Sequence, residues 1–239
     1  MTQWQQSEWL NDPMTKNYAI IVAGGSGSRM QSAVPKQFLL LKGRPVLMYT
    51  IEVFYNSATQ PQIILVLPEG FHTYWLQLCL DHNFTIPHQL IKGGETRFHS
   101  VKNGLDTIPD DSDCLIAVHD AVRPLTSKQI INESYQYAQK HGNAVTAVKS
   151  RDSVRQLKNN ISTSLLRDEI YLIQTPQTFR SSQIKKAYLQ PYGTHFTDDA
   201  SVVEQTGIAI NLIEGSYTNI KITFPEDIAV AEQIMAYGS

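Results

Sequence analysis

YAIIVAGGSGSRM, residues 18–30, decides how the rest of the chain is read. Tyr18 to Ala23 is an apolar run of strand length that empties into Gly24, Gly25 and Gly27. Apolar residues without alternation mark a strand buried on both faces, as in a parallel sheet. From Pro45 the stretch PVLMYTIEVFYNS places Val46, Tyr49, Val53 and Phe54 on one helical face, with the proline suited to a first turn. The alternation continues with strand 62–67, helix 69–82, strand 88–92, helix 95–106, strand 114–119, helix 127–141 and strand 144–149. Strands alternating with helices predict an α/β fold, a mostly parallel twisted sheet covered by helices.

Residues 150–170, SRDSVRQLKNNISTSLLRDEI, break that rhythm. They are polar, and Asn159-Asn160 stands between two stretches with β-branched and apolar residues, which predicts a projecting β-hairpin arm. An isolated two-stranded arm is marginal in water, so it needs a partner surface, and a second subunit is the simplest one. QTPQTF (174–179) then reads as a strand, followed by helices from Ser181 and from Asp198, the strand IAINLIEG (208–215) and a last helix after Pro225.

The chain has 239 residues with 42% hydrophobic and 18% charged residues, an ordinary globular mixture. The reading is an N-terminal extension, 1–13, and a single domain, 14–239, that includes the arm. A formal net charge of -2 offers no global field for nucleic acid or for an anionic membrane, so any polyanion site must be built locally. Cys79 and Cys114 have neither disulfide-framework nor zinc-site spacing, which suits a reducing compartment. The first residues, MTQWQQSEWLNDP, lack the basic and apolar regions of a secretory signal, and the apolar runs are only strand-sized. A cytoplasmic protein without a membrane span is expected.

Gly24, Gly25 and Gly27 let the main chain approach a ligand and point successive N–H groups at an anion. Arg29 and Lys36 add two cations. A dinucleotide fingerprint would need its third glycine at Met30, and no Gly-Lys-Ser/Thr follows as in a Walker loop, so the stretch is neither of these. AGGSGSRM followed by PKQF resembles the signature of sugar-nucleotidyltransferase-like enzymes, and most closely that of the 2-C-methyl-D-erythritol 4-phosphate cytidylyltransferase family. That resemblance implies a Rossmann-like, nucleotidyltransferase-like fold. It also implies that Ala23, Gly24, Gly25 and Gly27 wrap the CTP triphosphate, while Arg29 and Lys36 stabilise charge during attack on the α-phosphorus.

Further motifs follow in order over about residues 18–235. GGETRFHSV (93–101) opens a helix after a strand, and the resemblance carries cytosine contacts to Gly94, Glu95 and Ser100; Arg97 matches too, as a ligand contact or as a structural residue. VHDAVRP (118–124) ends a parallel strand with an acid, the place where open α/β sheets bind ligands. Asp120 there suits Mg²⁺ bridging phosphates, or the ribose. Arg123 is expected to grip a substrate phosphate or hydroxyl, and His119 to be a packed or hydrogen-bonding histidine. The other histidines show no metal spacing and are expected at the surface or at caps. Ser153, Thr175, Thr197 of FTDDAS and Lys221 of NIKIT match acceptor-site positions of the family, and Arg167 would reach the neighbouring subunit's site from the arm; the resemblance implies that Arg167 and Lys221 are catalytic, positioning the nucleophile. Phe224 and Leu166 depart from the family pattern, at positions where its members often carry a small or basic residue and an acid respectively.

The resemblance thus implies an enzyme that transfers CMP from CTP to 2-C-methyl-D-erythritol 4-phosphate, releasing pyrophosphate, with Mg²⁺ and as a homodimer, in non-mevalonate isoprenoid biosynthesis. Pentitol-phosphate cytidylyltransferases share the glycine loop, HDAVRP and NIKIT, so ribitol 5-phosphate is the alternative acceptor, though FTDDAS favours methylerythritol phosphate. A non-catalytic nucleotide-binding protein is the alternative from another class, and it would bind CTP without releasing pyrophosphate.

Overall fold

A strand covered on both faces needs apolar side chains at odd and even positions alike, and Tyr18–Val22 is buried at every residue. The computed structural model describes residues 17–23, 34–109 and 113–237. The expected extension 1–13 and the loop with Gly24, Gly25, Gly27 and Arg29 lie outside the described residues. In chain order the strands are β1 (Tyr18–Val22), β2 (Leu40–Leu41), β3 (Arg44–Pro45), β4 (Gln62–Leu67), β5 (Gln89–Lys92), β6 (Leu115–Asp120), β7 (Asn143–Lys149), β8 (Arg155–Lys158), β9 (Ile161–Ser164), β10 (Tyr171–Arg180) and β11 (Leu212–Glu214). The helices are α1 (Val46–Tyr55), α2 (His72–Asp81), α3 (Arg97–Leu105), α4 (Lys128–His141), α5 (Ser181–Ala187), α6 (Asp199–Glu204) and α7 (Glu226–Tyr237).

Seven strands form one sheet in the order β11-β7-β10-β6-β1-β4-β5. β1 runs parallel to β4 and β6, β4 to β5, and β7 to β11, so the sheet is mostly parallel as expected. β10 is antiparallel to both β6 and β7. The cause is connectivity: helical crossovers preserve strand direction, whereas the chain leaves β7, makes the arm and returns directly beside β7, which reverses it.

Side chains alternate faces along each strand. Ile20, Ile64, Val66, Ile116 and Val118 meet Phe98, Val101 and Leu105 of α3, with Ile184 and Val203 beyond them. Ala19, Ile21, Ile63, Leu65 and Ala117 meet Leu47, Ile51 and Phe54 of α1, Trp75 of α2, and Ile131 and Tyr135 of α4. α3 lies so close to the sheet that a Cβ on Gly104 would stand 2.9 Å from Ile20 Cγ2.

Some boundaries differ from the pattern-based reading. The helix expected over 69–82 begins at His72, after a 3₁₀ turn at Glu69–Phe71. The helix expected from 95 begins at Arg97, because the Thr96 side chain accepts from the His99 N–H as an N-cap; Glu95 and Thr96 are thereby left in the loop. Of IAINLIEG only Leu212–Glu214 is strand. The small β2–β3 hairpin was not expected; Lys42 and Gly43 turn it with φ of 45° and 79°, and the Lys42 N–H donates to Glu232 of α7 at 3.0 Å.

The arm forms as predicted: β8 and β9 pair antiparallel around Asn159 and Asn160, whose φ values of 50° and 60° are those of a tight hairpin turn. Leu157, Ile161 and Leu166 are about 70% exposed (71%, 69% and 71%). Among the described residues, no helix is long and apolar enough to cross a membrane.

His88 departs from the surface or capping role expected of it. Its Nε2 accepts from the Trp75 indole N–H at 2.9 Å while its Nδ1 lies 2.8 Å from the Ile86 carbonyl, an arrangement that requires a neutral ring donating from Nδ1. Burial pushes its pKa down, against the Ile86 carbonyl, which pulls it up. A histidine with a lowered folded-state pKa contributes stability that is complete above the unfolded value of about 6.5 and is lost as the pH falls toward the folded value. Urea unfolding from pH 7 to pH 5 should therefore show falling stability, with a shallower slope in His88→Gln. Equal slopes would show that His88 is not part of the response.

Candidate active site

The carboxyl ends of β1 and β6 open into a cleft of about 190 Å³ lined by Ala23, Lys36, Glu95, Arg97, Asp120 and Lys221. This is the side of a parallel sheet on which ligands bind. PKQF enters the cleft because its neighbours are anchored: Gln37 Nε2 donates to the Ala23 carbonyl at 3.2 Å, and the Phe38 ring is buried against Phe71, Tyr74 and Trp75. Lys36, between Pro35 and Gln37, is therefore held at the rim.

Asp120 ends β6 at the centre of a cationic cluster. Lys221 Nζ lies 2.9 Å from Oδ2, Arg123 Nε 3.3 Å from Oδ2 and Arg97 Nε 3.6 Å from Oδ1. Burial alone would raise the carboxyl pKa; Arg97, Lys221 and Arg123 together overcome it and hold the group well below the usual carboxylate range. Asp120 is accordingly an anion throughout the physiological range.

Beneath it, His119 is fully buried, edge-on to Phe54 at 4.9 Å, with Nδ1 lacking a partner among the described residues. Burial pushes its pKa down to about 3, so the ring is neutral at pH 7. The expected packed role agrees with this placement.

The 93–96 loop is closed from within. The Ser100 hydroxyl accepts from the Gly94 N–H at 3.1 Å and donates to the Thr96 carbonyl at 2.9 Å. Ser100 is fully buried, so its hydroxyl shapes the loop that carries Gly94 and Glu95. A Cβ on Gly94 would collide with His99 Cβ and lie 2.9 Å from the His99 carbonyl carbon, which explains the need for glycine there.

Two of the residues expected at the substrate, Arg123 and Thr175, are buried, and Thr197, Ser153 and Arg167 are exposed. Arg123 is buried, with Nη1 donating to the Asn219 carbonyl at 2.8 Å, so it ties the Asp120 carboxylate to the 216–221 loop. Thr175, joined to Pro176 by a cis peptide, is buried too, and its hydroxyl accepts from the Asp120 N–H at 3.1 Å. Thr197 is exposed, with its N–H donating to Ser201 Oγ at 3.1 Å. Ser153 and Arg167 sit in or beside the arm and are exposed; the ion partner of Arg167 is Asp168, at 3.6 Å.

Two residues escaped the sequence reading. Asn219 accepts from the Thr126 hydroxyl at 2.6 Å and donates to the Thr175 carbonyl at 3.0 Å and to Gln174 Oε1 at 3.2 Å. It thereby fixes the loop that presents Lys221. Asp199 accepts two hydrogen bonds from Arg97, at 2.9 and 2.6 Å. Both belong to quoted motifs, NIKIT and FTDDAS, but nothing in those motifs tells which polar side chain turns inward.

Among the described residues no three His, Cys, Asp or Glu side chains come together as a metal cage. A hard divalent ion would therefore take one protein carboxylate and complete its shell with phosphate oxygens and water, the usual habit of Mg²⁺. Asp120 fits that role, since its carboxylate lines the cleft and is held ionised.

The sequence profile for 2-C-methyl-D-erythritol 4-phosphate cytidylyltransferase matches residues 18–237. A protein of that name from Azobacteroides pseudotrichonymphae is 48% identical over 93% of this chain and 100% of its own length. The crystal structure of 4-diphosphocytidyl-2C-methyl-D-erythritol synthase from Anaerococcus prevotii superimposes with a TM-score of 0.79 at 28% identity, covering 93% of this chain and 96% of that one. The 2-C-methyl-D-erythritol 4-phosphate cytidylyltransferase structure from Francisella tularensis gives a TM-score of 0.76 at 32% identity, covering 92% and 99%.

Proposed function

The chain belongs to the 2-C-methyl-D-erythritol 4-phosphate cytidylyltransferase family, and on that premise we propose that it transfers CMP from CTP to 2-C-methyl-D-erythritol 4-phosphate. The products are 4-diphosphocytidyl-2-C-methyl-D-erythritol and pyrophosphate, within non-mevalonate isoprenoid biosynthesis. The observation that carries this is the meeting of Lys36, Arg97, Asp120 and Lys221 in one cleft at the carboxyl edge of the sheet.

An oxygen of the acceptor phosphate attacks the α-phosphorus in line, the new P–O bond forming as the bond to the pyrophosphate oxygen breaks. A phosphate monoester, with a second pKa near 6, is already anionic at pH 7, so no side chain has to remove a proton. That agrees with an Asp120 held ionised and a His119 held neutral. Catalysis rests on positioning and on charge neutralisation. Arg29 and Lys36 meet the charge that develops on the equatorial and leaving oxygens, while Ala23 and the loop glycines line the triphosphate and Gly94, Glu95 and Ser100 frame the cytosine. Lys221, Thr197 and Arg123 serve the acceptor half directly or by support. Asp120 would hold Mg²⁺, which when bound would supply charge neutralisation at the reacting phosphoryl group.

We further propose a cytoplasmic homodimer with neither nucleic acid nor membrane as partner. The exposed Leu157, Ile161 and Leu166 support it, because a second subunit would cover them and would receive Ser153 and Arg167 of the arm beside its acceptor.

The test is Mg²⁺-dependent pyrophosphate release from CTP, with methylerythritol 4-phosphate and ribitol 5-phosphate run in parallel. Release with the first acceptor is the expected result. Preference for ribitol 5-phosphate would overturn the acceptor, and CTP binding without release from either would overturn the enzyme.

A further inference from the structure

The loop that presents Glu95 and Thr96 and the turn that carries Thr197 are remote in sequence, and one ion pair joins them. Arg97 Nη1 and Nη2 donate to the two carboxylate oxygens of Asp199 at 2.9 and 2.6 Å, the bidentate form that is strongest and most directional. The Tyr188 hydroxyl donates to Asp199 Oδ1 at 2.6 Å. The Asp199 side chain is wholly covered, whereas Arg97 keeps 30% of its side chain exposed at the cleft. Nε of the same guanidinium lies 3.6 Å from Asp120, beyond hydrogen-bond length. A cation offered two carboxylates thus commits its fork to the one behind the cleft.

The surroundings make this pair rigid. Phe98, next to Arg97, stacks between Tyr188 at 4.6 Å and Phe196 at 5.7 Å. Asp199 opens α6, whose capping box is formed by Asp198 and Ser201. Gln177 of β10 donates to Asp198 Oδ2 at 3.0 Å and accepts from the Ala200 N–H at 2.8 Å. Thr197 therefore sits on a turn braced by β10 on one side and by α3 on the other. The 93–96 loop, by contrast, is closed by its own bonds among Gly94, Thr96, His99 and Ser100, none of which involves Asp199.

We propose that Arg97 is a positioning residue for the acceptor half of the cleft: although it belongs by sequence to the nucleotide segment, it fixes the 197–201 turn through Asp199. This deepens the cytidylyltransferase reading above and rests on it. Loss of the pair loosens the acceptor turn and leaves the nucleotide loop with its own closure intact.

Steady-state kinetics with both substrates varied, on wild type, Asp199→Asn and Tyr188→Phe, test the idea. The expected result for Asp199→Asn is a rise in KM for methylerythritol phosphate of about tenfold or more, with KM for CTP within about twofold. Tyr188→Phe keeps the ring and its stacking, so it folds even if the charge variant does not; it should show the same split at about threefold. A KM for CTP that rises as much as the acceptor's would make Arg97 a nucleotide contact and overturn the proposal. Unchanged KM values with a lower Tm would also overturn it, leaving the pair structural only. Wild-type protein that forms no product overturns the acceptor assignment, and it does so before any variant is compared.

Discussion

Lys36→Ala should lower kcat by on the order of 10² to 10³, with a much smaller change in CTP affinity. The reason is where the charge appears. A group that binds the triphosphate equally well in the ground state and the transition state lowers KM without raising kcat. As the bond to pyrophosphate breaks, charge builds on the leaving and equatorial oxygens, and a cation already aimed there stabilises the transition state more than the bound nucleotide. Lys36 meets the positional requirement because the buried Gln37 and Phe38 hold PKQF at the cleft that Asp120 also lines. Single-turnover quench measurements at saturating CTP separate the chemical step from binding. Near-normal turnover would remove Lys36 from the mechanism, whereas a raised KM for CTP with normal kcat would make it a uniform binding contact.

Asp120→Asn should both abolish most activity and destabilise the fold by about 3 kcal/mol, the usual cost of removing one partner from a buried charge cluster. Asparagine preserves shape and removes one negative charge from among Lys221, Arg123 and Arg97, which lie 2.9, 3.3 and 3.6 Å from it. Arg97 retains Asp199, and Arg123 retains the Asn219 carbonyl, so the penalty is limited to part of the cluster. For a domain of this size the loss corresponds to a Tm lower by roughly 10 °C. A pH series gives an independent check. A carboxylate with a depressed folded-state pKa contributes stability that is present above its unfolded value, near 3.9, and is lost as the pH falls through the folded value. Wild type should therefore lose this contribution only below about pH 4, and the gap between wild type and Asp120→Asn should narrow there. A Tm within experimental error of wild type at pH 7 would show that the cations need no counter-charge, and the electrostatic account of the cleft would fail.

The arm was legible because its turn is local chemistry: Asn159 and Asn160 tolerate positive φ, and two neighbouring residues suffice to specify a hairpin. The parallel core was legible for a similar reason, since runs such as Ile63–Leu67 have no polar face to present to water. The β2–β3 hairpin was missed because two-residue strands carry no periodicity to read. The direction of β10 was also outside any local pattern, since a strand's own residues are indifferent to whether its neighbour runs with it or against it.

At the site the division follows the same physics. The residue types were visible along the chain: glycines before two cations, an acid closing a buried strand, a lysine in NIKIT. Those features are decided within a few residues, by backbone freedom, apolar run length and charge. Tertiary structure alone decided that Arg123 lies beneath Asp120 with its guanidinium on the Asn219 carbonyl, that Arg97 divides its charge between Asp199 and Asp120, and that Asn219 anchors the loop bearing Lys221. These contacts join residues up to 102 positions apart. Which of several polar side chains turns inward depends on the partner that the fold brings to it, and no stretch of sequence contains that partner.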